Sequence, residues 1–540
     1  MTAPVTDRAA VSTPERASFG PLLRAEWTKF RSVRGWVIGM IVGVFLAILV
    51  GVFAAGNASI GCNLGPNSPQ LSGKACLPYV PIGPGGEAVT DSFYFVRQPL
   101  AGNGSITVRV TSLTGKYSVG GVVRAIPGQS PGAGMTPGLV PWAKAGIIIK
   151  ASTRQGSAYA AMMVTGAHGV RMQWNYTHDT AGLAGAVTTG APRWLRLIRS
   201  GSTISGYDSA DGRHWTLVGT VQLSGLPSTV QAGLFAASPQ YLKIIPFFGG
   251  GNIRSGPSLA TAVFADTSLH GNWPAAKWTG TPIGNAKNGS YPDAGGGFRQ
   301  AGSQLTVSGS GDIAPVVPGP GSSVPSSVIE QSLAGLFAGL IAIIVVAALF
   351  VTSEYRRGLI RVTFAATPDR GRVLAAKATI AALVAFAAGL VAAIVCVAVG
   401  VPRQRNEGLY ILPVSALTEA RVLVGTAVMV ALAAIFAVAV GAIFRRSAAA
   451  VTAVIVAVVL PFLLAVTVLP NAAANWVLRL TPAAGFAIEQ SVPHYSQVST
   501  VYSAAGGQYP LSPLTGLGVL CAYTAAALML AAWLLRRRDA

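Results

Sequence analysis

Six long apolar segments interrupt the polar stretches of this 540-residue chain. A helix needs about 20 consecutive apolar residues to cross a bilayer, so the pattern predicts six membrane-spanning helices. The middle of each segment lacks Asp, Glu, Lys and Arg, which argues against an ion-coupled transporter because such proteins use buried ionisable side chains. The segments lie near residues 36–55, 331–352, 373–401, 421–443, 448–469 and 514–535.

A different pattern occupies residues 56–330, between the first two apolar segments. Short runs such as SITVRV (105–110) and YAAMMV (159–164) alternate apolar and polar residues between clusters of Gly, Ser, Thr and Pro. Period-two alternation predicts an all-β sandwich, with a hairpin turn at Asp211–Gly212. The Gly/Pro/Ser-rich stretch 271–330 is typical of a linker to the second helix, although its strings 260–273 and 304–317 could supply a last strand pair.

The strings WLRLIRSG (194–201), GYDSADGRHW (206–215) and AGLFAAS (232–238) resemble concanavalin-like jelly-roll modules, over about residues 88–270. This resemblance indicates a fold, not a function. The acidic residues are few and turn-like, which argues against glycoside hydrolysis because that chemistry needs a carboxylate pair. Calcium binding is an open alternative, although the sequence contains no acidic loop of the kind that binds calcium. Aromatic residues could stack on sugar rings or belong to the core; the stacking candidates are Trp174, Trp194, Tyr207 and Trp215.

The chain is strongly basic, with a formal net charge of +21. Nucleic acid is not the expected partner because the cations form no stripe interleaved with aromatic residues. The expected partner of the basic residues is membrane lipid. Basic clusters lie before the first segment, between the second and third, between the fourth and fifth, and at the C-terminus. Six crossings place all four on one side, which the positive-inside rule makes cytoplasmic. We therefore expect a multi-pass plasma-membrane protein with cytoplasmic termini and an extracytoplasmic β domain.

Two of the four cysteines, Cys62 and Cys76, flank a Gly/Pro/Asn-rich loop. In an extracytoplasmic position they could form a disulfide, and the alternative is two free thiols. The other two, Cys396 and Cys521, lie in apolar segments and are expected to pack there.

No G-x-x-x-x-G-K-[ST] phosphate-binding loop occurs in the chain, so nucleotide hydrolysis would need another protein. Several ordered segments resemble an actinobacterial ABC transporter permease of the type-2 exporter superfamily. They are LLRAEWTKFRSVRGW (22–36), SEYRRGLIRVTFAATPDRGRVLAAKA (353–378), FRRSAAAVTAVIVAVVLPFLL (444–464), WVLRLTPAAGFAI (476–488) and WLLRRRDA (533–540). The insertion 56–330 departs from that family, whose loop between the first two spans is usually shorter.

The resemblance implies a mixed fold, a six-helix transmembrane bundle of the type-2 exporter kind with an inserted extracytoplasmic β sandwich. It places an interfacial elbow helix in the cytoplasmic N-terminus 1–35, with Glu26, Lys29 and Arg34, and re-entrant helices in 470–513. The loop 353–372 becomes a helix that couples to an ATPase. Its coupling residues would be Glu354, Tyr355, Arg356, Arg357, Gly358, Arg361, Pro368 and Arg370. A polar face of this helix could be formed by Glu354, Tyr355, Arg356, Arg357 and Arg361. Pro368 would end the helix, and Asp369 could cap the next one. On the elbow helix, Glu26 and Lys29 are three residues apart and could form an intrahelical pair; the alternative is an exposed ion pair worth under about 1 kcal/mol.

The expected function is that of a permease subunit, not an enzyme, in an ATP-driven exporter of a drug-like, lipid-like or glycan-like substrate. The chain itself would bind no cofactor; ATP and Mg would bind a separate cytoplasmic ATPase. The permeases would pair as a homodimer or a heterodimer. The alternative is a membrane-anchored β-sandwich receptor or adhesin that binds cell-surface glycans, for which six spans are more than an anchor needs.

Overall fold

The protein combines a bundle of apolar helices with a large antiparallel β sandwich. The computed structural model describes residues 19–56, 61–62, 71–119, 135–247, 250–274, 277–284, 296–319, 322, 324–356, 358–366 and 369–537.

The predicted apolar segments are all helical, and six helices in the described part of the chain are long and apolar enough to cross a membrane. The second begins with a 3₁₀ segment, Ile329–Gly335, and the fifth contains a π turn at Ile455–Val459. The α-helices are α1 Phe19–Ser32, α2 Arg34–Ala55, α3 Leu336–Arg356, α4 Leu359–Ala366, α5 Arg370–Asn406, α6 Ala416–Phe444, α7 Ser447–Val454, α8 Leu460–Thr467, α9 Asn471–Leu480 and α10 Pro513–Arg537.

Small residues allow α2 and the second span to pack with their backbones in close contact. A Cβ added to Gly339 would lie 2.7 Å from Gly43 O and 2.8 Å from Ala47 Cβ. A Cβ on Gly335 would collide with Ala47 O and the backbone of Gly51. Association of membrane helices depends on such close packing because lipid supplies little hydrophobic driving force.

The inserted region is built from strands, as the alternating pattern predicts, and two of them are long: Phe93–Tyr117 has 25 residues and Ser258–Asn272 has 15. One 3₁₀ segment lies in this region, at Gly73–Tyr79, and two more lie in the helical part of the chain, at Pro482–Glu489 and Ala504–Gly506. The strands are β1 Gly61–Cys62, β2 Leu71–Ser72, β3 Val89–Asp91, β4 Phe93–Tyr117, β5 Thr136–Pro137, β6 Lys144–Lys150, β7 Tyr159–Thr165, β8 Val170–Trp174, β9 His178–Ala181, β10 Arg193–Ser200, β11 Thr203–Ser209, β12 Thr216–Gln222, β13 Thr229–Ala237, β14 Tyr241–Phe247, β15 Gly250–Gly256, β16 Ser258–Asn272, β17 Thr279–Ile283, β18 Gly297–Ala301, β19 Gln304–Gly309, β20 Ile313–Pro315, β21 Ser326–Ser327 and β22 Tyr410–Ile411.

Strand β4 belongs to both layers of the sandwich. Its first part pairs with β13 and β17, in a layer that continues through β6, β7, β8 and β9. Its later part pairs with β10 and β16, in a layer completed by β11, β12, β19 and β18. The layers meet closely, since a Cβ on Gly206 of β11 would lie 2.6 Å from Met162 Sδ and 2.8 Å from Met172 Sδ.

The hairpin between β11 and β12 turns at the predicted position. Gly212 has a positive φ of 77°, which glycine adopts without strain. Asp211 Oδ1 accepts the backbone N–H of His214 at 2.9 Å and of Arg213 at 2.8 Å. These bonds stabilise the carboxylate and hold the pKa of Asp211 well below its ordinary value.

The predicted linker 271–330 is shorter than expected, because five strands (β17 to β21) occupy part of its described residues. Strand β19 pairs antiparallel with β16, from Ala260↔Gly309 to Phe264↔Leu305, which confirms the expected last strand pair. Its residues Leu305 and Val307 are buried in the sandwich core. Their alternation with polar residues is the signal on which the expected strand pair was based.

Candidate functional site

The two ends of the helix bundle are chemically different. Helix α5 has 37 residues and is therefore about 55 Å long at 1.5 Å per residue. Its first turns contact the N-terminal helix α1, whereas its last turn contacts the 3₁₀ segment 73–79 and strand β22 beside the β sandwich. The ends of α1, α3 and α10 that carry arginines thus lie at the opposite end from the sandwich.

A buried ion-pair network lies at the α1 end and joins three helices. Lys377 Nζ of α5 donates to Glu26 Oε2 of α1 at 2.6 Å and to Glu354 Oε1 of α3 at 2.7 Å. Lys29 Nζ donates to Glu26 Oε1 at 2.8 Å and to Glu354 Oε1 at 3.2 Å. Glu26 is 0% exposed, Lys377 2% and Glu354 5%. Two ammonium groups thus balance two carboxylates inside the protein.

Neighbouring groups hold the side chains of the network in position. Lys377 Nζ also lies 4.8 Å from the ring centroid of Phe350, one turn before Glu354 on α3. Burial alone would lower the pKa of Lys29, but its bond to Glu26 and the charges of Glu26 and Glu354 outweigh it, so that the net pKa is raised. Opposite charge and hydrogen bonds offset part of the desolvation cost that an isolated buried charge would carry.

The network corrects two sequence-based predictions. Glu26 and Lys29 do form the expected pair, but it is not the simple exposed pair that three-residue spacing suggests, because Glu26 is fully buried. The prediction that Glu354 contributes to an exposed polar face is wrong. Helix α3 continues to Arg356, and this places Glu354 on the side that already buries Phe350 and Val351.

The remaining predicted coupling residues have different environments. Arg356 is exposed at the end of α3, and Tyr355 is half-buried with the guanidinium of Arg445 lying 5.3 Å from its ring centroid. Arg370 Nη1 donates to Leu535 O of α10 at 2.6 Å. Arg34, which was predicted to belong to the elbow helix, is instead the first residue of α2 and is exposed there. Arg357 and Pro368 lie outside the described residues, as does the side chain of Arg361.

The loop after the second span folds as a separate short helix, α4. Gly358, with φ of 67°, separates it from α3, because this left-handed conformation ends a helix at little cost for glycine. Asp369 then caps α5 by accepting the N–H of Arg372 at 3.3 Å. On α4, Leu359 is 49% exposed and Val362 is 69% exposed. The helix therefore presents an uncovered apolar face at the arginine-rich end of the bundle.

A cavity of about 440 Å³ separates α4 from α1 and the start of α2. Leu22, Trp36, Leu359 and Val362 give it an apolar lining, and the charged groups of the lining are Glu26, Lys29 and Glu354. Glu354 Oε2 is buried and has no hydrogen-bond partner within the described part of the chain. The cavity thus combines an apolar wall with a carboxylate of which one oxygen has no hydrogen-bond partner among the described residues.

The β sandwich contacts the other end of the bundle through the segment after α8. Helix α9 and the 3₁₀ segment 482–489 confirm that short helices form there, with breaks at Pro470 and Pro482. Beyond them, Gln497 Nε2 donates to Tyr176 O at 3.3 Å and to Thr177 O at 3.2 Å. Ser491 N and Oγ donate to Glu330 at 3.0 and 2.5 Å.

Buried charges in the sandwich were missed by the sequence analysis. Lys150 Nζ donates to Asp91 Oδ2 at 2.7 Å, and Tyr176 Oη donates to the same oxygen at 2.7 Å. Lys144 pairs with Asp312 Oδ1 at 2.6 Å. The signal was present in KAGIIIK (144–150), where both ends of a strand that is buried throughout are lysine. These pairs serve the fold rather than a surface site.

Three of the four aromatic residues proposed for stacking on sugars share one face of the sandwich. Trp194 and Arg196 alternate with buried leucines on β10, and Tyr207 of β11 is the cross-strand partner of Arg196. The guanidinium of Arg196 lies 3.8 Å from the ring centroid of Trp215. Trp174 is separate from them on β8, where it stacks on His178 with ring centroids 5.0 Å apart.

Cysteine and metal chemistry add little to these sites. Cys76 is disulfide-bonded, as the predicted pair with Cys62 requires, but the side chain of Cys62 lies outside the described residues. Cys396 and Cys521 are free. Within the ranges that the structure describes, no three His, Cys, Asp or Glu side chains are grouped to hold a metal ion.

The chain matches no protein-family model and no curated protein. It has distant likenesses among solved structures. A functionally unknown protein from Saccharomyces cerevisiae is 15% identical over 34% of this chain and 77% of its own, with a TM-score of 0.19. The GH43 protein BlXynB from Bacillus licheniformis is 17% identical over 32% and 28%, with a TM-score of 0.19. Scytalido-glutamic peptidase with a transition state analog inhibitor is 8% identical over 42% and 100%, with a TM-score of 0.25. TM-scores this low assign neither a family nor an activity.

Proposed function

We propose that this chain is the membrane-spanning permease subunit of an ATP-driven exporter whose ATPase is a separate protein. Three features support the proposal. Six helices are long and apolar enough to cross a membrane, the sequence lacks a phosphate-binding loop, and segments of its helical part resemble type-2 ABC exporters. ATP and Mg would bind the ATPase, and a second permease of the same or another kind would complete the transporter.

The observation that carries the proposal is the exposed apolar face of α4. Leu359 and Val362 lie beside exposed Arg356, at the end of the bundle that also holds α1. A short helix with apolar residues uncovered beside cations suits a lipid surface or a protein partner. An ATPase that binds here would contact Arg356 and the outer side of α4, and opposite charges would speed its association.

The buried network would couple this contact mechanically to the rest of the helix bundle. Movement of α4 would act on α3 across the Gly358 break. Glu354 of α3 is bonded to Lys29 of α1 and Lys377 of α5, so the three helices would move together. Transport would follow if ATP binding favoured one arrangement of the helices and hydrolysis the other.

Copurification from native membranes tests the proposal. A tagged full-length chain should retain an ATPase with a phosphate-binding loop. Arg356→Glu, or Ala365→Glu at an exposed residue of α4, should reduce the retained amount at least about 10-fold, the effect of losing about 1.4 kcal/mol. Arg536→Glu is the matched control because Arg536 is also an exposed arginine at this end of the bundle. Absence of any such ATPase, or equal retention by Arg356→Glu and Arg536→Glu, would reject the assignment.

Glycan binding is a second candidate function, because Trp194, Tyr207 and Trp215 share one face of the sandwich. The full-length chain would then bind cell-surface glycans, and Tyr207→Ala with Trp215→Ala should abolish that binding. Trp476→Ala, an exposed tryptophan on α9, is the control. Binding that survives the double substitution would exclude this face as the glycan site.

A further inference from the structure

The cavity between α1 and α4 has the size and chemistry of a ligand site. Its volume of about 440 Å³ lies within the range of roughly 300–1,000 Å³ that is usual for ligand pockets. One side is formed by Leu22 of α1 and Trp36 of α2, and the other by Leu359 and Val362 of α4. The lining favours a ligand with an apolar body.

The charged groups of the cavity specify the polar end of that ligand. Glu354 Oε1 accepts hydrogen bonds from Lys29 and Lys377, whereas Oε2 is buried with no partner in the described residues. An unsatisfied buried carboxylate oxygen is costly, so a ligand that donates an N–H to it gains binding energy. Lys29 also lines the cavity and its side chain is 38% exposed. A cation is therefore available for an anionic group of the same ligand.

The position of the cavity identifies the source of such a ligand. Helix α1 directly precedes the first apolar span, and Trp36 belongs to that span. Exposed Arg24, Arg31 and Arg34 flank the lining residues in sequence. Arginine and tryptophan at the end of an apolar helix are typical of the level at which lipid headgroups lie.

We propose that this cavity binds a phospholipid with a primary-amine headgroup, of the phosphatidylethanolamine type. The headgroup ammonium donates to Glu354 Oε2, and the phosphate lies against Lys29. The acyl chains leave along Leu22 and Val362 into the adjacent leaflet. The lipid then fills the space between α1 and α4 and holds the two helices at a fixed separation. This inference does not depend on the proposed transport function.

The headgroup chemistry provides its own controls. A phosphocholine headgroup has the same charges but no N–H donor, so it leaves Glu354 Oε2 unsatisfied. A phosphoglycerol headgroup has hydroxyl donors and a phosphate but no ammonium. Comparison of three lipids with identical acyl chains therefore separates recognition of the amine from attraction of lipid to a basic protein.

Native mass spectrometry of the full-length chain in detergent, titrated with each lipid, measures the preference. Phosphatidylethanolamine should bind at least about 10-fold more tightly than the phosphocholine or phosphoglycerol lipid, as expected for a hydrogen bond to a charged group. Val362→Trp fills the cavity from an exposed position and should remove this preference. Ala365→Trp, an exposed residue on the same helix that does not line the cavity, should keep it.

Every outcome decides the proposal. Equal binding of the amine and choline lipids would overturn it, because the donor would not matter. Preference for the phosphoglycerol lipid would show attraction to surface cations instead. Equal behaviour of Val362→Trp and Ala365→Trp would place the lipid elsewhere. No ATPase is present in the assay, so failure here is distinguishable from failure of the exporter assignment.

Discussion

Substitution of Lys377 by Met tests whether the buried ion-pair network fastens α1 to the bundle. Lys377 is 2% exposed, and its ammonium donates to Glu26 and Glu354 at 2.6 and 2.7 Å. Met is unbranched and flexible, so the substitution removes the charge while filling most of the same space. The two carboxylates then depend on Lys29, whose side chain is 38% exposed.

The expected loss is large because the remaining charges stay buried. Removal of one partner from a buried ion pair costs about 3–5 kcal/mol, since the other partner is left without compensation. Glu26→Gln combined with Lys377→Met removes one charge of each sign. We expect this double variant to differ from the sum of the two single variants by about 0.5–3 kcal/mol, because the two residues are in contact.

Denaturant titration of the purified full-length chain in mixed micelles, followed by circular dichroism, measures these free energies of unfolding. Arg372→Met is the control, because Arg372 pairs with Asp369 at 3.3 Å and their side chains are 41% and 56% exposed. Such a pair contributes under about 1 kcal/mol. The reasoning is refuted if Lys377→Met costs no more than Arg372→Met, or if the Glu26 and Lys377 substitutions are additive.

Three further predictions concern the helix seam, the hairpin turn and the disulfide. Gly339→Leu should destabilise the chain by about 1–3 kcal/mol or more, because even a Cβ at this position would lie 2.7 Å from Gly43 O. Gly518→Leu is the control and should not destabilise the chain, because a Cβ there has nothing within 4 Å. Equal denaturation midpoints for the two variants would contradict the prediction. Asp211 has a lowered pKa in the folded protein, so its stabilising effect is present above the ordinary value of 3.8 and is lost as the pH falls below it. Asp211→Asn should therefore lower the thermal denaturation temperature at neutral pH and make progressively less difference in acid; a constant difference would disprove the assignment. Maleimide labelling of the denatured chain should add two labels before reduction and four after it. The reason is that Cys76 is disulfide-bonded and two of the four cysteines are free. Four labels without reduction would exclude the disulfide.

The helices could be predicted because a run of about 20 apolar residues can adopt few structures other than a membrane-spanning helix. The predicted segment 331–352 became Ile329–Arg356, and 373–401 became Arg370–Asn406. The extra turns are polar, so hydropathy alone ends too early. Local chemistry was equally visible: Asp369 caps α5 as expected from its position after Pro368. The pattern of strands followed from alternation in the same way.

The ion-pair network could not be predicted from the sequence. Glu26 and Lys377 are 351 residues apart, and a charged residue near the end of an apolar run looks like an ordinary interfacial anchor. Only the packing of α1 across α3 and α5 shows that Glu26, Glu354 and Lys377 share one buried site. Strands β17 and β18 were missed for a different reason, because they are only five residues long and lie in a stretch with many glycines.

Helix α5 links the two ends of the molecule physically. Its Lys377 belongs to the ion-pair network, and Asn406 at its other end lies beside the loop at Gly73, where even a Cβ would contact Asn406 O at 2.6 Å. A continuous helix is stiff, so a tilt of its first turns displaces its last turns. Pro402 interrupts that stiffness, because proline lacks the N–H that completes the helical ladder. A displacement that starts at α1 would therefore be transmitted along α5 as far as the turn containing Pro402. Bending of the helix requires the least energy at that turn, which lies next to the β sandwich.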